Sequence, residues 1–441
     1  MAELSELGAS EAAKRIADGD ITSEALVQSC LDRISAQDDA VRAWIYLQPE
    51  YALDQARAAD VQRAKGFGTG PLHGVPIGVK DIIETADMPT QNGYKGHLGR
   101  HTHKDALCVS QMRDAGAVVV GKTVTTELAV RMPGKTRNPH DPARTPGGSS
   151  SGSAAAVADR QVPLAFGTQT AGSVIRPGSY CGIVALKPTF GLIARQGVTQ
   201  MAAWLDTVGC YGRSVEDVAL MAEQLMLRDQ ADPQSIPRSR SALHRMALSE
   251  PPGRPRLAFM RGAKWDQADA AAQGALEAFA QDLGSECEAI DMPAWMADAW
   301  DWQAVVMRYS IAQNYGPLMD LHGDLMSESL RGIVADGRAT SEADYRQALD
   351  QRDALSAGLD EIYARFDAIL CLPAPGAAPK GLDWTGEPVF NTFWTYAGTP
   401  CVSLPLLQAD GMPLGVQLTG PRGGDGALLR TANWLMTRAA T

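Results

Sequence analysis

The residues that could do chemistry are concentrated between positions 80 and 176 of this 441-residue chain. Lys80 lies in the apolar segment IGVKDII, where a charged ammonium is costly unless it is paired or loses its proton. An ion pair with Asp81 would explain it, although adjacent side chains of a strand point to opposite faces. An uncharged amine acting as a base would also explain it. Lys80 alone leaves both interpretations open.

A segment rich in glycine and serine, TPGGSSSGSAAAVA, directly precedes an alanine-rich helix. It could be a flexible linker, but its glycines would also allow close backbone approach, and its serines could cap the helix. The exposed N–H groups of the first helical turn would then favour an anionic group. The string GSSSG fits the G-x-S-x-G pattern with Ser150 as the nucleophile. We reject that assignment because such an elbow needs a preceding strand, and the irregular NPHDPARTP stands there instead.

A third candidate is the small-residue turn in FGTQTAGSVIRPGSY, which contains Thr170, Ala171, Gly172 and Ser173. Consecutive backbone N–H groups in such a turn could bind a developing oxyanion, and the small side chains would leave room for a substrate. A tight turn without chemistry is the alternative. The turn by itself does not separate the two.

Taken in order, Lys80, the serine-rich segment and Ser173 resemble the amidase signature family. Other parts of the chain share the resemblance, namely PLHGVPIGVKDI, GAVVVGKTVTTE, CGIVALKPTFG, LDTVGCYGRSVEDVA and GMPLGVQLTGP. The resemblance covers nearly the whole chain and is weakest over residues 225–370.

The resemblance implies a Ser-cisSer-Lys triad, with Ser173 as nucleophile, Ser149 as the bridging serine and Lys80 as an uncharged base. It implies an amidohydrolase that cleaves a small carboxamide to a carboxylate and ammonia or amine through an acyl-enzyme. Backbone N–H groups of Thr170, Ala171, Gly172 and Ser173 would form the oxyanion hole. We expect no cofactor and no metal.

Two departures from the family pattern concern the substrate. Ala171 stands where the family commonly has glycine, so it adds a methyl group beside the oxyanion donors. Arg176 stands three residues after Ser173, in an SVIRP arrangement similar to that of malonamidase-type members, in which the arginine grips a substrate carboxylate. The alternative is a structural arginine that ties the turn to a carbonyl group or to Asp206.

These observations predict an amidase of short acidic amides held by Arg176. A broad aliphatic or aryl amidase with an apolar pocket is the alternative within the class. A glutaminase-like subunit of a tRNA-dependent amidotransferase is the alternative from another class, because family relatives serve in that role.

Composition excludes several other functions. Lysine and arginine number 40 against 51 acidic residues, a formal net charge of −11, so we expect no nucleic-acid partner. No window approaches the ~18 apolar residues of a membrane span, and the acidic amino terminus lacks the basic region of a signal peptide. We therefore predict a cytoplasmic protein with no membrane contact. A homodimer stays open as the oligomeric state. His101 and His103 have H-x-H spacing but no third ligand in position.

The elements that must position these residues alternate between helix and strand. We predict helices through the first 60 residues, a buried strand leading into a turn at HGVPIGVKDIIET, and a strand from Ala117 to Val120. We expect one α/β domain over 1–441 with a mixed central β-sheet surrounded by helices, the amidase signature fold. Residues 60–220 would be the signature core. Residues 225–370 would be a variable helical segment that shapes the substrate pocket.

Overall fold

The computed structural model describes residues 3–67, 69–236 and 242–439, and one mixed β-sheet runs through this part of the chain. Its eleven strands are β1 (Trp44–Leu47), β2 (Pro76–Lys80), β3 (Val118–Thr123), β4 (Leu164–Gln169), β5 (Val184–Lys187), β6 (Thr207–Gly212), β7 (Leu257–Arg261), β8 (Cys287–Asp291), β9 (Ala368–Cys371), β10 (Cys401–Ala409) and β11 (Met412–Thr419). They lie in the order β1-β3-β2-β4-β6-β5-β10-β11-β9-β7-β8.

Helices cover both faces of this sheet. They are α1 (Ala9–Asp18), α2 (Ser23–Val41), α3 (Pro49–Ala64), α4 (Leu107–Asp114), α5 (Ser151–Ala158), α6 (Ile175–Cys181), α7 (Val215–Gln224), α8 (Leu243–Ala247), α9 (Ala270–Asp282), α10 (Ala299–His322), α11 (Glu328–Arg338), α12 (Glu342–Tyr363), α13 (Val389–Ala397) and α14 (Asp425–Ala439). Strand alternation divides the buried side chains between two cores: Val119 packs in one, and Val118 and Val120 pack in the other. The predicted single α/β domain with a mixed central sheet is therefore confirmed.

Three neighbouring strands position the candidate residues. β2 pairs in parallel with β3 on one side and with β4 on the other. Because the carboxyl ends of parallel strands meet at one edge of a sheet, Lys80 at the end of β2 comes next to Thr168 near the end of β4. Both strands are fully buried, so this edge lies inside the protein.

Thr22 caps α2, its side-chain oxygen accepting a hydrogen bond from the Ala25 N–H. Two strand predictions are confirmed. The strand expected at the start of HGVPIGVKDIIET is β2, and the strand expected from Ala117 to Val120 is β3, which begins one residue later.

The prediction of helices through the first 60 residues is wrong at one place. Residues 44–47, with the sequence WIYL, form β1, which pairs antiparallel with β3 at the edge of the sheet. Four residues are too few for hydrophobic periodicity to reveal a strand, and the pairing partner lies far along the chain.

The segment 225–370 contributes helices α8 to α12 and also three strands, β7, β8 and β9, to the same sheet. The Pro-rich passage near 230–255, which in sequence alone fits a surface excursion or a subdomain seam, includes residues 237–241, which lie outside the described residues. Among the helices that are described, none is long and apolar enough to span a bilayer.

Helix α5 packs unusually close to the strand below it. A Cβ atom on Gly152 would lie 2.1 Å from the Ala43 carbonyl oxygen and 2.4 Å from the Val124 backbone nitrogen. Its own N–H donates to the Val124 carbonyl at 2.9 Å. The small residues of GSSSGSAAAVA therefore bring the helix within reach of the sheet, because a larger side chain would meet backbone atoms that cannot move aside.

We expect Gly152→Ala to lower the free energy of unfolding by about 1–3 kcal/mol, because the added methyl group overpacks this contact. Gly274→Ala is the matched control: this exposed glycine lies in α9, and nothing lies within 4 Å of a Cβ built there. That change should stabilise the protein by about 0.5–1 kcal/mol through helix propensity. Urea unfolding measures both, and equal stabilities would contradict the close packing.

Candidate active site

Lys80 is completely buried, and its amine contacts two hydroxyl groups. Its Nζ lies 2.7 Å from Ser149 Oγ and donates to Thr168 Oγ1 at 2.7 Å, with the Thr168 carbonyl oxygen at 3.5 Å. Burial holds the pKa of Lys80 well below its ordinary value of 10.5, because a charged amine would lose its hydration. The negative charge of Asp206 opposes this shift and raises the pKa of Lys80.

The ion pair considered for Lys80 and Asp81 is not formed among the described residues. Asp81 Oδ1 lies 3.9 Å from Lys122 Nζ, and both side chains are buried on the other side of β2 and β3. Strand alternation therefore separates two adjacent ionisable groups, as the sequence indicated.

Ser149 is buried and follows a cis peptide bond between Gly148 and Ser149. This agrees with the cis-serine that the family resemblance implies. The segment is held on both sides: the Ser149 carbonyl accepts from Thr126 N at 3.2 Å, and Ser151 Oγ donates to the Gly147 carbonyl at 2.8 Å. Gly147 has a φ of 83°, a left-handed conformation that favours glycine.

Ser173 lies in the turn between β4 and α6, half-buried at the wall of a cavity. Its carbonyl oxygen accepts from Ser150 Oγ at 2.7 Å and from the Tyr211 hydroxyl at 3.2 Å. Within the described residues, the Ser173 hydroxyl makes no hydrogen bond, so Lys80 and Ser149 are in contact and Ser149 and Ser173 are not hydrogen-bonded. The hydroxyl of Ser150 holds the backbone of Ser173, consistent with our rejection of Ser150 as nucleophile.

The turn at 170–173 presents unoccupied backbone donors. The N–H groups of Ala171, Gly172 and Ser173 have no hydrogen-bond acceptor in the described part of the protein, and all three residues line the cavity. The carbonyl oxygens of Thr170, Ala171 and Gly172, by contrast, accept from Gln303 Nε2 (3.2 Å), Thr395 Oγ1 (2.6 Å) and Arg176 N (3.0 Å). The carbonyl groups are therefore fixed and the N–H groups are left for a ligand, which is the arrangement that an oxyanion hole requires.

Gln169 fixes the end of this turn. Its Oε1 accepts from the N–H groups of Val174 and Ile175, at 2.8 and 3.0 Å, and its Nε2 donates to Thr395 Oγ1 at 2.9 Å. The amide oxygen of Gln169 accepts both hydrogen bonds without adding a negative charge beside the turn.

Arg176 is buried and tied to main-chain oxygens. Its Nε donates to the Thr385 carbonyl at 3.0 Å and its Nη2 to the Gly148 carbonyl at 2.7 Å. Its Nη1 has no partner among the described residues. These contacts match the alternative of a structural arginine that ties the turn to carbonyl groups. Asp206 does not pair with Arg176 but accepts a hydrogen bond from Thr170 Oγ1 at 2.6 Å. A substrate-binding role for Arg176 stays a prediction that rests on Nη1.

The cavity beside Ser173 has a volume of about 370 Å³. Helices α10 and α11 of the 225–370 segment provide much of its wall, and loop 384–388 closes another side. Apolar groups of Met201, Met307, Ile311 and Ile333 and charged groups of Arg131, Arg308, Asp336 and Glu387 share the lining. The wall is therefore neither purely apolar nor of one charge.

Sequence reasoning missed Thr168 and Tyr211 as parts of this site, and it considered Ser150 and Asp206 only in other roles, as a nucleophile and as a partner of Arg176. Thr168 and Ser150 stand within motifs that were recognised, but no spacing rule shows which hydroxyl meets the lysine. Asp206 and Tyr211 come from the loop before β6 and from β6 itself, which reach the site only through the antiparallel pairing of β6 with β4.

His101 and His103 stack with their ring centroids 5.0 Å apart. In the described ranges, no three side chains of histidine, cysteine, aspartate or glutamate come together as a metal site.

Comparisons with known proteins identify the family of the chain. The profile of the family described as Amidase matches residues 25–429. A relative from Salinispora arenicola, named as a glutamyl-tRNA(Gln) amidotransferase subunit, is 31% identical over 477 residues, which cover 98% of this chain and 97% of the relative.

Two solved structures extend the likeness to the fold. The native peptide amidase from Stenotrophomonas maltophilia superposes with a TM-score of 0.86 at 27% identity, covering 99% of this chain and 97% of that one. A structure described as an unexpected vestigial protein complex that reveals the evolutionary origins of an s-triazine catabolic enzyme gives a TM-score of 0.91 at 27% identity, covering 98% of each chain. The chain therefore belongs to the amidase signature family and is a hydrolase of carbon–nitrogen amide bonds.

Proposed function

We propose that this protein hydrolyses a small carboxamide to a carboxylate and ammonia or an amine through an acyl-enzyme on Ser173. Lys80 is the base and Ser149 carries the proton between them. The observation that supports this most is the 2.7 Å contact of Ser149 Oγ with a fully buried amine, because burial favours the uncharged form of Lys80.

The contacts of Lys80 fit an uncharged amine. Such an amine has two N–H donors and one lone pair. The two acceptors for its N–H groups are Thr168 Oγ1, at 2.7 Å from Nζ, and the Thr168 carbonyl oxygen, at 3.5 Å. The lone pair is then left for the hydroxyl hydrogen of Ser149, and the oxygen of Ser149 is left to take the proton of Ser173.

The reaction then proceeds in two stages. As Ser173 Oγ attacks the amide carbon, its proton passes to Ser149 and the proton of Ser149 passes to Lys80. The ammonium of Lys80 returns a proton through Ser149 to the departing nitrogen, so the C–N bond breaks and an ester on Ser173 remains. Water, activated by the same groups, cleaves this ester and releases the carboxylate.

In this proposal the hydroxyl of Ser173, which has no partner in the described residues, comes into hydrogen-bond contact with Ser149 when substrate binds. Catalytic hydrogen bonds often tighten only in the substrate complex. The carbonyl oxygen of the substrate then meets the N–H groups of residues 171–173, and each such donor contributes about 3–4 kcal/mol in other hydrolases.

For the substrate we propose a short acidic amide, with Arg176 Nη1 as one candidate donor to its carboxylate. The cavity volume of about 370 Å³ suits a small molecule, and its charged lining favours a polar acyl group over the aliphatic or aryl amides of the alternative. The variable segment 225–370 shapes this pocket through α10 and α11.

A second candidate is an ammonia-supplying component of an amidotransferase. It is favoured by the name of the relative from Salinispora arenicola, whose match covers nearly all of both chains. In that case ammonia released at Ser173 would be consumed by a partner protein.

We expect Ser173→Ala to abolish amide hydrolysis, because no acyl-enzyme can form. Ser150→Ala is the control: it removes a neighbouring hydroxyl that holds the Ser173 backbone, so it should lower turnover without abolishing it. Ammonia release from a panel of small amides measures both. Hydrolysis at the wild-type rate by Ser173→Ala would remove Ser173 as nucleophile.

The pH dependence of kcat/KM should report Lys80. Because the base must be uncharged, activity rises as pH rises through the lowered pKa of Lys80, well below the usual ~10.4. Asp206 raises this pKa, so Asp206→Asn should move the acid limb of the profile to lower pH. Asp410→Asn, in an exposed turn with a φ of 51°, should leave it in place. An unmoved limb in Asp206→Asn would show that another group titrates.

Ammonia release by the purified chain alone tests the second candidate. We expect hydrolysis of a small amide without partner protein or tRNA, because the proposed triad, the turn and the cavity all belong to this chain. The mass in solution of the same preparation tests the homodimer. Activity that appears only after a partner protein is added would favour the amidotransferase role.

A further inference from the structure

We infer that Arg308, on α10, is a specificity-determining residue that binds the carboxylate of an anionic amide in the Ser173 cavity. The inference rests on the proposed function and names the group that selects its substrate class. Arg308 then makes the main contact with the substrate carboxylate, and the role of Arg176 is chiefly structural.

Arg308 lines the cavity, and its guanidinium has no partner among the described residues. Its Nε is buried and makes no hydrogen bond, and in the described residues no carboxylate lies within 4.0 Å of the side chain. Two arginines of the neighbouring α11 are used differently: Arg338 pairs with Asp320 at 2.6 Å, and Arg331 Nη1 donates to the Gly323 carbonyl at 3.1 Å. A buried guanidinium donor without an acceptor is costly, and a ligand that supplies the acceptor removes this cost.

Close packing of α11 against α10 fixes the backbone of Arg308. A Cβ atom on Gly337 of α11 would lie 2.1 Å from the Arg308 carbonyl oxygen and 2.7 Å from the Ala312 side chain. The two helices therefore touch through backbone at this point, and the Cα of Arg308 has little freedom to move. A donor held on such a rigid platform loses less entropy when it binds its ligand.

Arg176 is less suited to the same task. Its Nε and Nη2 are already occupied by the carbonyl oxygens of Thr385 and Gly148. Its remaining Nη1 lies beside Gly172, 3.2 Å from the position of a Cβ there, and Asn391 Oδ1 lies 2.5 Å from the same position. Arg176 is thus held beside the oxyanion turn by two carbonyl groups and has one nitrogen left, which cannot offer the two parallel donors of a bidentate carboxylate contact.

The chemistry of the ligand follows from the donor. A guanidinium matches a planar carboxylate with two parallel hydrogen bonds and stays charged at every pH at which the enzyme works. The lining holds three arginines, Arg131, Arg176 and Arg308, against the two carboxylates of Asp336 and Glu387, and this formal excess of one positive charge favours a ligand with a single negative charge. The favoured substrate is therefore the monoamide of a short dicarboxylic acid, with the amide at Ser173 and its single carboxylate at Arg308.

The experiment compares matched pairs of amides: malonamate with isovaleramide, and succinamate with isocaproamide, in which a branched alkyl end replaces the carboxylate. We expect Arg308→Gln to lower the kcat/KM ratio of anionic to neutral amide roughly 10- to 100-fold, mainly through KM, because one charge-assisted pair is lost. Arg308→Lys should recover part of the ratio. Arg346→Gln, at an exposed site on α12, should leave it unchanged.

A second measurement does not need turnover. Calorimetry of propionate and butyrate, which keep the single carboxylate and lack the amide, should show binding to the wild-type protein with an affinity that falls by a similar factor in Arg308→Gln. If the wild-type protein binds the carboxylates through Arg308 but hydrolyses no amide, the carboxylate site is supported and the proposed function is overturned. Ser173-dependent hydrolysis with an unchanged anionic-to-neutral ratio in Arg308→Gln would overturn the inference and leave the proposed function standing. If the protein shows neither amide hydrolysis nor Arg308-dependent binding, both the inference and the proposed function are overturned.

Discussion

The contact between a buried amine and a buried hydroxyl is the constraint on which the site depends. Lys80 can stay uncharged only while water is kept away, and its donors must still find acceptors inside the protein. The sheet meets both demands, because β3 and β4 flank the end of β2 and Thr168 on β4 supplies the acceptors. Helix α5 then lies directly above, with its preceding segment carrying Ser149 to the amine.

The close approach of α5 explains the composition of the glycine- and serine-rich segment. Gly152 lets the helix lie against the backbone of Val124, and the hydroxyls of Ser150 and Ser151 tie the segment to the turn after β4 and to itself. A linker of similar composition would make no such contacts. The segment therefore connects, through its contacts, the strand that contains Lys80 with the turn that contains Ser173.

Two arginines show how the same side chain acquires different tasks. Arg176 follows Ser173 closely in sequence, which suggested a substrate contact, but two of its nitrogens are taken up by carbonyl oxygens. Arg308 lies far away in the chain and in the segment where the family resemblance is weakest, yet it reaches the same cavity with a buried, unpaired nitrogen. Arg176 lies near the turn because it is close to Ser173 in sequence. Arg308 lies at the cavity because α10 packs against α11.

The fold class, the buried strand at Lys80 and the serine-containing segments could be predicted from the amino-acid sequence, because they depend on local hydrophobic patterns and on short motifs. The sequence also indicated that Lys80 and Asp81 would face opposite ways, since alternation is a property of any strand. Three features became visible only in the folded protein: Thr168 holds the amine, Asp206 raises the pKa of Lys80, and α10 and α11 line the cavity. These contacts join residues distant in the chain, and strand order and helix packing, which no local pattern encodes, bring them together.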